Sequence, residues 1–201
     1  MSILDEVRIP LLDEARRSPN LLSDLAGLEQ YLAESYDARS FIELLQNADD
    51  AGASRFFVGR EGDYLCVAND GRCFSRDDFE SLCRSAASNK TRASNIGYRG
   101  IGFKSVVTFA ESVYLVSGGL EAVFCRTRTR QEVPGAKRVP LVRIPHAPTG
   151  EDRKALENAR DLLENGYKTV LSLPILSAVR SRPSSARSIR LHSSSCDTFG
   201  R

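Results

Sequence analysis

Apolar and polar positions follow two different periods along this chain, and the switches between them mark its elements. The opening of the chain is patterned for helices. Leu21, Leu22, Leu25, Leu28 and Leu32 recur at helical spacing after Pro19-Asn20. Asp37 then offers an N-cap, Phe41, Leu44, Leu45 and Ala48 form the apolar stripe of a further helix, and Gly52 is placed to close it. Shorter alternating runs predict strands over 55–59 and 64–68, joined at Glu61-Gly62-Asp63. Ser75-Arg-Asp-Asp78 reads as a capping arrangement opening a helix that runs to Arg84. Small polar residues without periodicity over 86–98 predict a mobile loop, and 102–109 reads as a helix beginning directly on a run of glycines. An antiparallel pair over 112–117 and 121–127 turns at Gly118-Gly119, and a proline-punctuated stretch, 134–148, leads to a helix over 151–163. The last expected strand, 169–173, ends at Pro174. Helices and hairpins in this order predict an α+β fold. The expected form is a two-layer α/β sandwich, with one mixed, mainly antiparallel sheet and helices on one face.

Composition sets bounds on this picture. With 201 residues, 41% of them hydrophobic, the chain can bury one proper core. A formal charge of +2 among 27% charged residues gives no electrostatic case for nucleic acid. The five cysteines are odd in number and never spaced C-x-x-C, which argues against a disulfide framework or structural zinc and for free thiols in a reducing cytosol. Asp5, Glu6 and Arg8 interrupt the N-terminal apolar residues, so no signal peptide is expected, and no apolar run is long enough to cross a bilayer. A soluble cytoplasmic protein is the expectation. Serine and arginine dominate 177–201, which predicts a tail that is disordered or, through a shifted reading frame, non-native. Arg126, Arg128 and Arg130 alternate on the expected strand and would make one face basic, with solvated charge the commoner explanation. His146 and His192 stand alone, without a ligand constellation or the helical setting of a phosphoacceptor.

Three short segments carry candidate chemistry. In Glu43-Leu-Leu-Gln-Asn47-Ala-Asp-Asp50, the residues Glu43, Asn47 and Asp50 fall within roughly 60° of helical arc. Oxygen donors so grouped suit Mg²⁺, and a carboxylate one turn away could orient a water attacking a phosphate. An ordinary solvated face explains the same residues taken alone. In Asn69-Asp70-Gly71-Arg72-Cys73, an acceptor at a strand end before a glycine turn could read the exocyclic amine of adenine. A simple turn is the plain alternative. In Gly97-Tyr98-Arg99-Gly100-Ile101-Gly102-Phe103, three glycines before a helix let backbone N–H groups approach an anion, and a lid hinge would use the same glycines. The run is not a P-loop, because Phe103 precedes Lys104-Ser105, nor a dinucleotide fingerprint, because Ser105 stands at the third glycine position.

The order and spacing of these parts resemble the GHKL superfamily of ATP-binding domains, and their wording is most similar to the modules of sacsin-like and NO VEIN-like proteins. The resemblance covers about 37–173 and divides the chain into an N-terminal helical segment (1–36), an ATP-binding domain (37–176) and the tail (177–201). It implies ATP and Mg²⁺ as ligands, slow hydrolysis used as a conformational switch, and chemistry regulatory or chaperone-like in kind. Residue by residue, it makes Glu43 the water-activating base and Asn47 the metal ligand, and sets Asp50 near the nucleotide. Gly97, Gly100 and Gly102 wrap the phosphates, with Tyr98, Arg99, Ile101 and Phe103 of the same box also cofactor-binding. Lys90 lies where a lid can reach the phosphates, and Thr169 assists adenine recognition. The family's Gly-Thr pair is absent; Gly166 lies three residues before Thr169. The family's Asp-x-Gly-x-Gly box is also altered: spacing from Gly71 puts Asn69 at the adenine aspartate and Cys73 at the second glycine. Asp70 is favoured over Asn69 as the reader of adenine, because a carboxylate accepts without an unmatched donor. The family also implies protein partners, further domains of a larger assembly or a homodimer, though no residue acting in trans is identifiable. A nucleotide-binding scaffold without turnover, or an incomplete fragment of a larger ATPase, are the competing expectations.

Overall fold

The computed structural model describes residues 1–35, 40–84, 110–175 and 187–190. Three helices open it: α1 (Ile3–Arg17), capped by Ser2, whose Oγ accepts from the Asp5 N–H at 3.2 Å; α2 (Pro19–Ser35); and α3 (Ser40–Asp50). Gly52 closes α3 as the sequence predicts. Its φ is +71°, its N–H donates to Asp49, and Ala53 N–H reaches back to Ala48 at 3.0 Å, the paired bonds of a Schellman ending. The hairpin β1 (Arg55–Glu61) and β2 (Tyr64–Asn69) turns at Gly62, again at positive φ. At α4 (Arg76–Arg84) the capping box forms: Ser75 Oγ accepts from Asp78 N–H, and the Asp78 carboxylate accepts from Ser75 N–H.

The second hairpin, β3 (Ser112–Ser117) and β4 (Leu120–Cys125), turns at Gly118-Gly119. A short helix α5 (Arg126–Glu132), a two-residue strand β5 (Pro145–His146) and a 3₁₀ turn (Gly150–Asp152) precede α6 (Arg153–Glu164). Then come β6 (Thr169–Pro174) and β7 (Arg187–Arg190). The strands form one sheet in the order β5-β4-β3-β6-β2-β1-β7, every pairing antiparallel.

Because side chains alternate along a strand, each strand feeds two packing layers. Phe56, Val67, Leu115, Phe124 and Leu171 point to one side and share a core with Leu11 of α1, Leu22 of α2, Ala48 of α3 and Phe79 of α4. The α+β class and antiparallel sheet are as expected, and α1 and α2 belong to the core; the expected helices on one face only are corrected, because the sheet's second face is apolar as well. The opposite face carries Phe57, Cys66, Ala68, Val116 and Val170, covered by Leu156, Ala159 and Leu162 of α6. Helices thus flank the sheet on both sides, and β3 and β6 at its centre are buried almost throughout.

Two local readings need correction. The expected strand over 121–127 stops at Cys125, and the three arginines lie on α5. Its neighbour β5 is only two residues long, so no ladder continues past Cys125. The guanidinium of Arg126 instead reaches Ala110 O and Glu29, and that of Arg128 donates to both oxygens of Asp152 at 2.9 Å. No basic sheet face results. Nor is β6 the last strand: four residues of the Ser/Arg-rich tail pair with β1, from Arg55↔Arg190 to Val58↔Arg187. Backbone pairing of an edge is blind to composition. Asp37, the predicted loop 86–98, the predicted helix 102–109 and the remainder of the tail lie outside the described residues.

Candidate functional site

The end of α3 and the turn after β2 are locked together, and the lock decides which side chains are left to face a ligand. Asp70 is central to it. Its carboxylate accepts from Ser54 N–H (2.7 Å), Ser54 Oγ (2.7 Å), Arg55 N–H (2.8 Å) and Arg55 Nε (3.2 Å). Partial burial alone would raise its pKa, but these donors hold it well below the ordinary carboxylate range. The same Arg55 donates to the carbonyls of Asn165 and Gly166 and lies 4.9 Å from the Tyr167 ring centroid. The end of α6, the start of β1 and the end of β2 are thereby clamped on one residue.

Gly71 completes the lock from the other side. A Cβ here would stand 2.8 Å from the Ala51 Cβ and 2.9 Å from its carbonyl oxygen, while Arg72 N–H donates to that same carbonyl. Only glycine lets the turn lie this close to the end of α3. Asn69 folds over the turn, its Oδ1 accepting from Gly71 N–H at 3.1 Å.

Register then lines up three polar residues across the sheet: Asn69 faces Thr169 between β2 and β6, and Thr169 faces Ser117 between β6 and β3. The Ser117 and Thr169 hydroxyls are 2.6 Å apart and buried, and Ser117 Oγ also accepts from Phe74 N–H. Asn69 and Thr169 of this row line a half-open cleft, with Ser117 bonded to Thr169. Leu44, Phe56, Val67, Leu82 and Leu171 make the apolar walls. Asn47 of α3 lines it together with Asn69, Cys73 and Thr169, and Arg72 and Asp78 pair at 2.5 Å beside them. The mostly apolar lining with a few convergent polar groups can hold a flat heteroaromatic ring with a polar edge.

Of the candidate residues, the fold brings Asn47, Asn69 and Thr169 to one cleft. Asp70 is corrected as the base reader: its oxygens are spent on Ser54 and Arg55, and Asn69 takes the position in the cleft. Asp50 is exposed on the last turn of α3 and does not line the cleft. Gly166 is not a ligand-facing glycine either; with φ +87° it ends α6, its own N–H and that of Tyr167 closing the Schellman pair. Glu43 occupies α3 one turn before Asn47, and its side chain is outside the described residues, as are Lys90 and Gly97, Tyr98, Arg99, Gly100, Ile101, Gly102 and Phe103. Ser117, Arg72 and Asp78 were not singled out from the sequence. The capping pattern at Ser75-Asp78 was the one local signal near them.

Among the described residues no group of three or more His, Cys, Asp or Glu is placed to hold a metal ion. The described cysteines Cys66, Cys73, Cys83 and Cys125 are free thiols, and burial pushes the Cys66 thiol up to about 11. No described helix is long and apolar enough to cross a membrane. Comparison with protein-family models and with curated proteins finds no match for this chain.

Proposed function

We propose that this chain is a GHKL-type ATP-binding domain that hydrolyses ATP slowly with Mg²⁺ and serves as a conformational switch. One observation carries the reading: Asn47 of α3, Asn69 at the end of β2 and Thr169 at the start of β6, which the motif order marks as candidates, line a single cleft. The residues fit a purine. Apolar walls would sandwich the ring while Asn69 and Thr169 meet its polar edge, where a mismatch leaves buried polar groups unpaired.

The donor set also fits a nucleotide-bound Mg²⁺, which keeps waters and phosphate oxygens and needs one or two protein oxygens, here Asn47 Oδ1. When bound, the ion would neutralise charge developing on the phosphates. Glu43, one helical turn before Asn47, is the residue assigned to orient a water and take its proton at a carboxylate oxygen. The glycine run 97–102 would supply backbone N–H donors to the phosphates. A cytoplasmic setting agrees with the free thiols, and the switch would act through further domains, a protein partner or a second copy.

Calorimetric titration with Mg·ATP, paired with phosphate release, tests this in wild type and Glu43→Ala. Binding retained with hydrolysis lowered at least about 100-fold in the variant is the expected result. Tight binding without phosphate release in either protein would instead make the domain a nucleotide-binding scaffold. No binding in either would overturn the assignment.

A further inference from the structure

The turn after β2 presents an amide to the cleft and no free carboxylate. Asp70, the carboxylate in this turn, gives its oxygens to Ser54 and Arg55. Asn69 stands in the cleft instead, and an amide carries a donor as well as an acceptor. Its orientation is set by chemistry: Oδ1 accepts from Gly71 N–H, and the reverse placement would set two donors against each other. That leaves the second lone pair of Oδ1 and, among the described residues, an Nδ2 with no hydrogen-bond partner.

Thr169 is equally ambidextrous. Its Oγ1 shares a 2.6 Å bond with Ser117 Oγ in which either oxygen can donate. Ser117 Oγ already accepts from Phe74 N–H, so its own proton can turn toward Thr169 or be replaced by Thr169's. In the first case Thr169 offers a proton to a ligand; in the second, a lone pair. Thr169 can therefore invert its role without moving a heavy atom, while Asn69, its amide held by Gly71, presents an acceptor (Oδ1) and a donor (Nδ2) side by side.

We infer that the cleft takes 6-oxopurine nucleotides as readily as 6-aminopurine nucleotides, with Asn69 reading the 6-position as donor to a carbonyl or acceptor from an amine. This rests on the nucleotide-binding reading above and deepens it. A carboxylate at the same place would accept from the amine and repel the carbonyl, so the amide at this position is what relaxes the choice.

Competition calorimetry with the Mg²⁺ complexes of ATP, GTP and purine riboside triphosphate, which lacks a 6-substituent, tests it on the whole chain. Expected are Kd values for ATP and GTP within about fivefold, and purine riboside triphosphate weaker than both by about fivefold to tenfold, one lost hydrogen bond. In Asn69→Asp the GTP complex should weaken at least about tenfold relative to ATP. A wild-type preference for ATP beyond about 50-fold overturns the inference and leaves the nucleotide-binding reading intact. Purine riboside triphosphate binding as tightly as ATP overturns it too, because position 6 would then be unread. Should Asn69→Asp fail to fold, the three wild-type affinities decide alone. Binding of none of the three overturns the nucleotide-binding reading itself.

Discussion

Asn69 and Asp70 are neighbours whose side chains do opposite things. Asn69 keeps a donor and a lone pair at the cleft, while Asp70 is consumed by four donors that join three elements. Nothing in Asn-Asp-Gly separates these outcomes, because the deciding partners, Ser54 and Arg55, arrive from another strand. The separation has a pH signature. The folded pKa of Asp70 lies below its unfolded value, so its contribution is complete above about pH 4 and fades as pH falls through the folded value. Asp70→Asn should cost about 2 kcal/mol at pH 6 by urea denaturation, and the difference from wild type should shrink below pH 4. A difference that stays constant down to pH 3 would refute the clamp. His146 acts in the same direction from a different cause. Burial pushes its pKa down to about 4, beside Thr129 Oγ1 at 3.0 Å. The unfolded chain therefore binds the extra proton first, and stability falls as pH drops from about 6.5 toward 4.

Whole elements were more legible than their partners. The ends of α3 and α6 and the start of α4 are set by contacts between residues at most five apart, which a single sequence displays. Arg126–Glu132 was misread because the alternation of arginines and threonines imitates a strand; its helix depends on carboxylates supplied by α2 and the 3₁₀ turn. Glu29 of α2 shows how far such links reach. It is 2% exposed, accepts from the N–H groups of Leu141 (2.7 Å) and Val142 (3.1 Å), and pairs with Arg126. Glu29→Ala would strand two buried N–H groups and a guanidinium, a loss of about 3 kcal/mol. Hydrogen exchange should show the Leu141 and Val142 amides opening faster than those of β3, whereas uniform acceleration would refute a local role.

At the scale of the molecule, the cleft exists because the sheet brings the ends of β2, β6 and β3 into one row beneath α3. Cys73 lines that cleft with an exposed thiol, and Cys66 and Cys83 are buried, so it reports on occupancy. Mg·ATP at ten times its Kd should slow alkylation of Cys73 roughly tenfold, read by peptide mass spectrometry with Cys125 as the internal control. An unchanged rate would place the nucleotide elsewhere. The sequence by itself determined most helices and hairpins, their caps and turns, and the α+β class, because those depend on periodicity and on contacts a few residues long. It also singled out Asn47, Asn69 and Thr169 as candidates. Only the tertiary structure decided that these three share a cleft, that Asp70 does not, that α6 covers the second face of the sheet and that the tail adds a strand. Each of those outcomes turns on a donor, an acceptor or an apolar face supplied from a distant part of the chain, and no local pattern records which one will arrive.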